Sequence, residues 1–139
     1  MSTNSLHPVL LVEDDAVDVM TVKRCFKQLK IPNDLMIAGN GEEAIVLLSN
    51  PETPLPCIIL LDINMPKMNG LELLHYLKSS SNFQKMPVIM LTSSKEETDV
   101  NKCFELGVAG YLVKPVEYQS FVSTIELLSA YWSKSELPQ

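Results

Sequence analysis

The sequence predicts an α/β fold: one doubly wound, five-stranded parallel sheet with helices on both faces. Three observations carry that prediction. Short apolar runs recur five times along the chain, and each is followed by a stretch with helical spacing. Four of the runs are nearly continuous in Val, Ile, Leu and Met instead of alternating with polar residues, as strands buried on both faces of a parallel sheet are. Strict strand–helix alternation supplies the crossovers that parallel strands need, and right-handed crossovers wind such a sheet both ways.

The elements follow in order. The first run is Val9–Val12, and after it Val19, Val22, Phe26 and Leu29 step by three or four, as one face of a helix does. The second run, Leu35–Ala38, leads to a helix that Asn40 or Gly41 opens and Asn50-Pro51 closes. Residues 51–56 are rich in proline and form a loop too short to link domains. The third run is Ile58–Leu61; Asn69 precedes the third helix, which ends in Ser79-Ser80-Ser81-Asn82, and Gly70 serves the turn through its permissive backbone angles. The fourth run covers residues 88–91, with Ser93 or Ser94 expected to cap the helix beyond it. The fifth run, Gly110–Val113, precedes a helix in which Phe121, Ile125, Leu128 and Trp132 step by four, three and four.

Composition sets the limits. With 139 residues the chain suits one domain, here 1–139 with a core of about 8–132 and short tails. Eleven Lys+Arg against seventeen Asp+Glu give a net charge of −6, and no basic run is longer than Lys23-Arg24, which argues against nucleic acid as a partner. The longest wholly apolar run, Cys57-Ile58-Ile59-Leu60-Leu61, falls far short of the ~20 residues that span a bilayer. The start, Met1-Ser2-Thr3-Asn4-Ser5-Leu6-His7, has no signal-peptide pattern. Cys25, Cys57 and Cys103 are scattered and odd in number, as small core residues in a reducing compartment are. The expected location is the cytoplasm.

Ligand sites in such sheets lie beyond the carboxyl ends of the strands. Glu13, Asp14 and Asp15 follow the first run, Asp62 the third, Thr92, Ser93 and Ser94 the fourth, and Lys114 and Pro115 the fifth. Distant segments thus deliver carboxylates, a hydroxyl and an amine to one sheet edge. Crowded carboxylates raise one another's pKa, and a hard divalent cation such as Mg²⁺ relieves the repulsion. A carboxylate beside such a cation and a lysine is equipped to act as the nucleophile of phosphoryl transfer. Taken singly, each feature has a plainer reading: a solvated acidic loop, a helix-capping Thr92, a surface Lys114. Their convergence favours a site.

The motifs Leu10-Leu11-Val12-Glu13-Asp14-Asp15, Leu61-Asp62-Ile63-Asn64-Met65-Pro66-Lys67-Met68-Asn69-Gly70, Val88-Ile89-Met90-Leu91-Thr92-Ser93 and Gly110-Tyr111-Leu112-Val113-Lys114-Pro115 resemble the receiver domain of two-component response regulators. The resemblance runs from Pro8 to Trp132. It implies a (βα)5 flavodoxin-like, CheY-like fold with strand order 2-1-3-4-5. It also implies that Asp62 is the phosphoacceptor, loaded from a phosphohistidine of a sensor histidine kinase. Asp14, Asp62 and the Asn64 carbonyl would bind Mg²⁺, with Glu13 acting through water. Thr92 and Lys114 would contact the phosphoryl group, Tyr111 would swing inward as Thr92 moves, and the Lys114–Pro115 bond would be cis. Asn64 and Ser94 would tune the lifetime of the phosphoryl group.

Asp99-Val100-Asn101-Lys102-Cys103-Phe104-Glu105-Leu106-Gly107 and Leu128-Ser129-Ala130-Tyr131-Trp132 are further similar to single-domain regulators paired with phytochrome kinases. That likeness implies a homodimer, with Phe121, Ile125, Tyr131 and Trp132 as its candidate interface, although Phe121, Ile125 and Leu128 fit a core better than an interface, and Tyr131 and Trp132, hard to bury in a small domain, fit an association surface. The expected function is a phosphorylation-operated switch of a protein-interaction surface. Its chemistry would be limited to Mg²⁺-dependent self-phosphorylation and autodephosphorylation. A constitutive scaffold is the alternative. An Asp-based phosphatase would want an acid where Asn64 stands. A flavin carrier would need a phosphate cradle where Glu13, Asp14 and Asp15 would repel the phosphate.

Overall fold

In the computed structural model, which describes residues 7–135, ten elements alternate along the chain. They are β1 (Val9–Val12), α1 (Ala16–Gln28), β2 (Leu35–Ala38), α2 (Gly41–Ser49), β3 (Ile58–Leu61), α3 (Gly70–Ser79), β4 (Val88–Thr92), α4 (Glu97–Glu105), β5 (Gly110–Val113) and α5 (Tyr118–Lys134). All strand pairings are parallel, in the order β2-β1-β3-β4-β5. The expected architecture and strand order hold. Residues 1–6, on which the expectation of no signal peptide bears, and residues 136–139 lie outside the described part.

The apolar runs form strands because both their faces are covered. Leu10 and Val12 of β1 face a core completed by α2, α3 and α4, through residues such as Ala44, Leu73, Leu77 and Cys103. Val9 and Leu11 face the opposite layer, where Val22, Cys25 and Phe26 of α1 meet Phe121, Ile125, Leu128 and Trp132 of α5. The central strands β1 and β3 are buried throughout, whereas the edge strands β2 and β5 are mostly half-buried. The three cysteines are buried and free. No helix among the described residues is long and apolar enough to cross a membrane.

Helix ends explain much of the local chain direction. Asn40 caps α2 by accepting from the Glu43 amide, and Asn69 forms a reciprocal capping box with Glu72 on α3. The fourth helix departs from expectation. Its N-cap position is Glu96, with no side-chain cap, because the Ser94 hydroxyl donates to Asp99 Oδ2 at 2.7 Å and accepts from the Glu96 amide. The serine therefore ties the loop to the first turn of α4 from outside the helix.

The last helix brings a second correction. Phe121, Ile125 and Trp132, candidates for a dimer interface, are buried inside the chain's own core, and Tyr131 alone of the four is exposed. The Trp132 ring lies 5.8 Å from that of Phe26, and its Nε1 donates to Asn33 Oδ1 at 3.1 Å. An indole is hard to bury because of its N–H. The Asn33 amide removes that obstacle, so the tryptophan closes the core.

Candidate phosphoryl-transfer site

Strand register assembles the site. Val12 pairs with Leu61, so the next residues, Glu13 and Asp62, emerge side by side between β1 and β3, where the strand order reverses. Thr92 pairs with Val113, and the Lys114 amide donates to the Thr92 carbonyl at 2.8 Å, which brings Lys114 to the same edge. Carboxylate oxygens of Glu13, Asp14 and Asp62 lie within 4.8 Å of one another. Asp14 is exposed at the mouth; Glu13, Asp62 and Thr92 are buried.

Lys114 is the hub. Its Nζ pairs with Glu13 Oε1, with Asp18 Oδ2 at 2.7 Å and with Asp62 Oδ2 at 3.2 Å. Burial by itself lowers the lysine's pKa, but hydrogen bonds to Asp18 and Glu13 more than reverse this, so the ammonium is held firmly charged. Burial pushes Glu13 up to about 7; its Lys114 bond opposes the rise and the nearby Asp62 charge adds to it. Asp62 Oδ1 is buried with no hydrogen-bond partner, so this carboxylate keeps unused acceptor capacity.

Around this centre stand the remaining expected residues. Thr92 Oγ1 accepts from the Ser94 amide at 3.4 Å and keeps a proton to give. Tyr111 is half-buried, and its hydroxyl donates to the Ser94 carbonyl at 2.8 Å. The Thr92–Ser94–Tyr111 chain thereby reaches Asp99 on α4 through the Ser94 hydroxyl. Asn64 is exposed in the loop beyond Asp62. No cis peptide bond occurs among the described residues, so the Lys114–Pro115 bond is trans, against expectation. Trans is the lower-energy form of an X–Pro bond by about 0.5–1 kcal/mol, and from it Lys114 reaches all three carboxylates.

Two contributors were not foreseen in these roles. Asp18, in the first turn of α1, is a direct Lys114 partner. Its sequence signal was weak: it stands one helical turn beyond Asp14, on a helix where acidic first-turn residues are ordinary. Gly70 acts by lacking a side chain. A Cβ there would overlap the Asp62 carbonyl oxygen and come within 2.7 Å of the Ile63 Cα, and the Gly70 amide donates to the Ile63 carbonyl at 2.9 Å. Close approach, not unusual backbone angles, is what demands glycine.

The acid cluster offers hard oxygen donors, one of them an unpartnered buried atom, and so fits a divalent cation. A parallel 2-1-3-4-5 sheet carrying acids after β1 and β3, a hydroxyl at the end of β4 and a lysine after β5 defines a receiver domain. The chain belongs to that family: the response regulator receiver domain model matches residues 9–126, and the family's function is phosphoacceptance in two-component signalling.

Among individual proteins, the response regulator Rcp1 of Synechocystis sp. is 33% identical over 138 residues, covering 95% of this chain and 94% of its own. Its structure, described as a Mn²⁺-bound form, superposes with a TM-score of 0.86. The phosphorylated cyanobacterial phytochrome response regulator RcpA gives 0.89 at 26% identity, with 96% of this chain and 99% of that one covered. A bacteriophytochrome response regulator, RtBRR, is 40% identical with a TM-score of 0.74, over 96% of this chain and 84% of its own.

Proposed function

We propose that Asp62 is the phosphoacceptor of a cytoplasmic response regulator and that its partner kinase belongs to a phytochrome light-sensing pathway. The observation that carries the first part is the unpartnered, buried Oδ1 of Asp62, whose Oδ2 pairs with the charged Lys114 at the sheet edge where Thr92 also ends its strand. The likeness to Rcp1, RcpA and RtBRR supports the second.

In this reading a bond forms between Asp62 Oδ1 and phosphorus as the phosphorus–nitrogen bond of a phosphohistidine breaks, and the imidazole departs with the electron pair. Lys114 neutralises charge on the transferred group from its place beside Asp62 Oδ2, and the Thr92 hydroxyl donates to a phosphoryl oxygen. Asp14 and Asp62, with the Asn64 carbonyl, would hold Mg²⁺, and Glu13 would do so through water. That cation supplies charge neutralisation among the acids and at the transferring phosphoryl group. Hydrolysis of the acyl phosphate returns the switch, and no other substrate is turned over.

The phosphoryl group adds about −1.5 to −2 of charge beside Thr92. The hydrogen-bond chain from Thr92 through Ser94 to Tyr111 and Asp99 leads to the outer face of α4 and β5, where a protein partner would read the change. A homodimer, if the phytochrome likeness extends to assembly, would use the outside of α5, with Tyr131 and Leu127, rather than its buried stripe.

The test is direct. Acetyl phosphate with Mg²⁺ labels the wild-type chain, chelation abolishes labelling, and Asp62→Asn is not labelled. Equal labelling of that variant would sink the assignment.

A further inference from the structure

The three N–H donors of the Lys114 ammonium meet three carboxylates, those of Glu13, Asp18 and Asp62. Two of them, Glu13 and Asp62, also belong to the trio whose oxygens can gather on one cation. Asp18 does not. Ammonium and cation therefore compete for Glu13 and Asp62, and Asp18 serves the ammonium alone.

The geometry places Asp18 on the outer side of that competition. Its carboxylate is 28% exposed, against 2% for Glu13 and 7% for Asp62; Glu13 makes the shortest contact with Nζ, Asp18 follows at 2.7 Å, and Asp62 is the most distant at 3.2 Å. Its backbone is fixed: Asp15 caps α1 by accepting from the Val17 and Asp18 amides, and the helix is anchored through Val22, Cys25 and Phe26.

We propose that Asp18 is a positioning residue that, together with Glu13, draws the Lys114 ammonium off Asp62 toward α1, so that Asp62 is freer to meet a divalent cation while the lysine stays beside it. The inference rests on reading the acid cluster as a cation site. An ordinary exposed ion pair would contribute little and would leave cation binding untouched. A positioning role makes Asp18 matter to a metal it does not touch.

Calorimetric titration of the intact chain with Mg²⁺, and with Mn²⁺ in parallel, tests this. Asp18→Asn turns Lys114 wholly onto Glu13 and Asp62, and weakens binding by roughly 3- to 10-fold, the scale of one partly screened charge interaction. Asp18→Glu recovers most of the loss. Removing one negative charge near a cation would also weaken binding directly, so a second background separates the two causes. In Lys114→Met, or Lys114→Gln if the methionine variant does not fold, there is no ammonium to divert, and Asp18→Asn changes affinity by less than about 2-fold.

Equal loss in both backgrounds overturns the proposal in favour of plain electrostatics. Unchanged affinity of Asp18→Asn overturns it outright. Wild-type protein that binds neither cation overturns the reading of the acid cluster itself, and the role of Asp18 with it.

Discussion

At the amino ends of the strands, Trp132 Nε1 donates to Asn33 Oδ1 at 3.1 Å while Asn33 Nδ2 donates to the His7 carbonyl at 2.7 Å. At the carboxyl ends of the same sheet, about as deeply buried, three carboxylates share one lysine and Asp62 Oδ1 has no partner. Both ends hide polar atoms from water, where an unsatisfied group costs about 1–3 kcal/mol. The amino end matches donor to acceptor and spends its polar groups on order. The carboxyl end leaves negative charge and a lone pair uncompensated, a cost that stability alone would not sustain. Where a fold tolerates such a deficit, a reacting or binding atom is expected to complete it.

Substitutions at the two ends should therefore fail in different ways. The largest effect on folding is expected from Trp132→Ala, at about 3–5 kcal/mol, because it opens a cavity beside Phe26 and removes the Nε1 donor to Asn33 Oδ1. Chemical denaturation measures it; labelling of the folded fraction should persist. A loss below 1 kcal/mol, as an order of magnitude, would show that the amino end is not the fully satisfied core described above.

Lys114→Met should come next, since removing one partner of a buried ion pair costs up to about 3–5 kcal/mol. Here the loss should depend on pH. Glu13, already pushed up to about 7, takes a proton in acid and sheds the unpaired charge, so the variant is penalised more at pH 8 than at pH 5. Parallel melts at those two pH values check this, and equal penalties would mean that Glu13 does not change protonation between them.

The smallest effect concerns the wild type without metal. Glu13 has an ordinary pKa of 4.5 once unfolded and about 7 when folded, so the folded state binds the proton more tightly across that window. This contribution to stability is complete below pH 4.5 and is lost as pH rises through 7. Glu13→Gln should flatten the slope in a thermal melt series. A slope unchanged by that substitution would assign it to other groups.

What the sequence made legible divides along the same lines. The strands were readable because burial on both faces leaves a continuous apolar run, as at Ile58–Leu61. Glu13, Asp14, Asp62, Thr92 and Lys114 were readable because parallel register carries the residue after each strand to one edge. Contacts closing across the fold were not. Asn33 and Trp132 lie 99 residues apart, and nothing local says that an amide waits for the indole. Ser94 looked like a helix cap because its type and position fit one; only the placement of Asp99 shows where its hydroxyl goes. Asp18 was hidden for a similar reason, since its partner sits 96 residues away.

Gly70 has one further consequence. Alanine is ordinarily better than glycine within a helix by about 1 kcal/mol, so a design aimed at stability would choose it readily. Here the gain is forfeited, since any carbon at that position must push the start of α3 away from the Asp62 carbonyl. The spacing between the helix and the Asp62 loop is thus set by an atom that is absent. It makes α3 a built-in gauge block for the Asp62 segment, and a stabilising change to the helix would be read first as a misplaced acid.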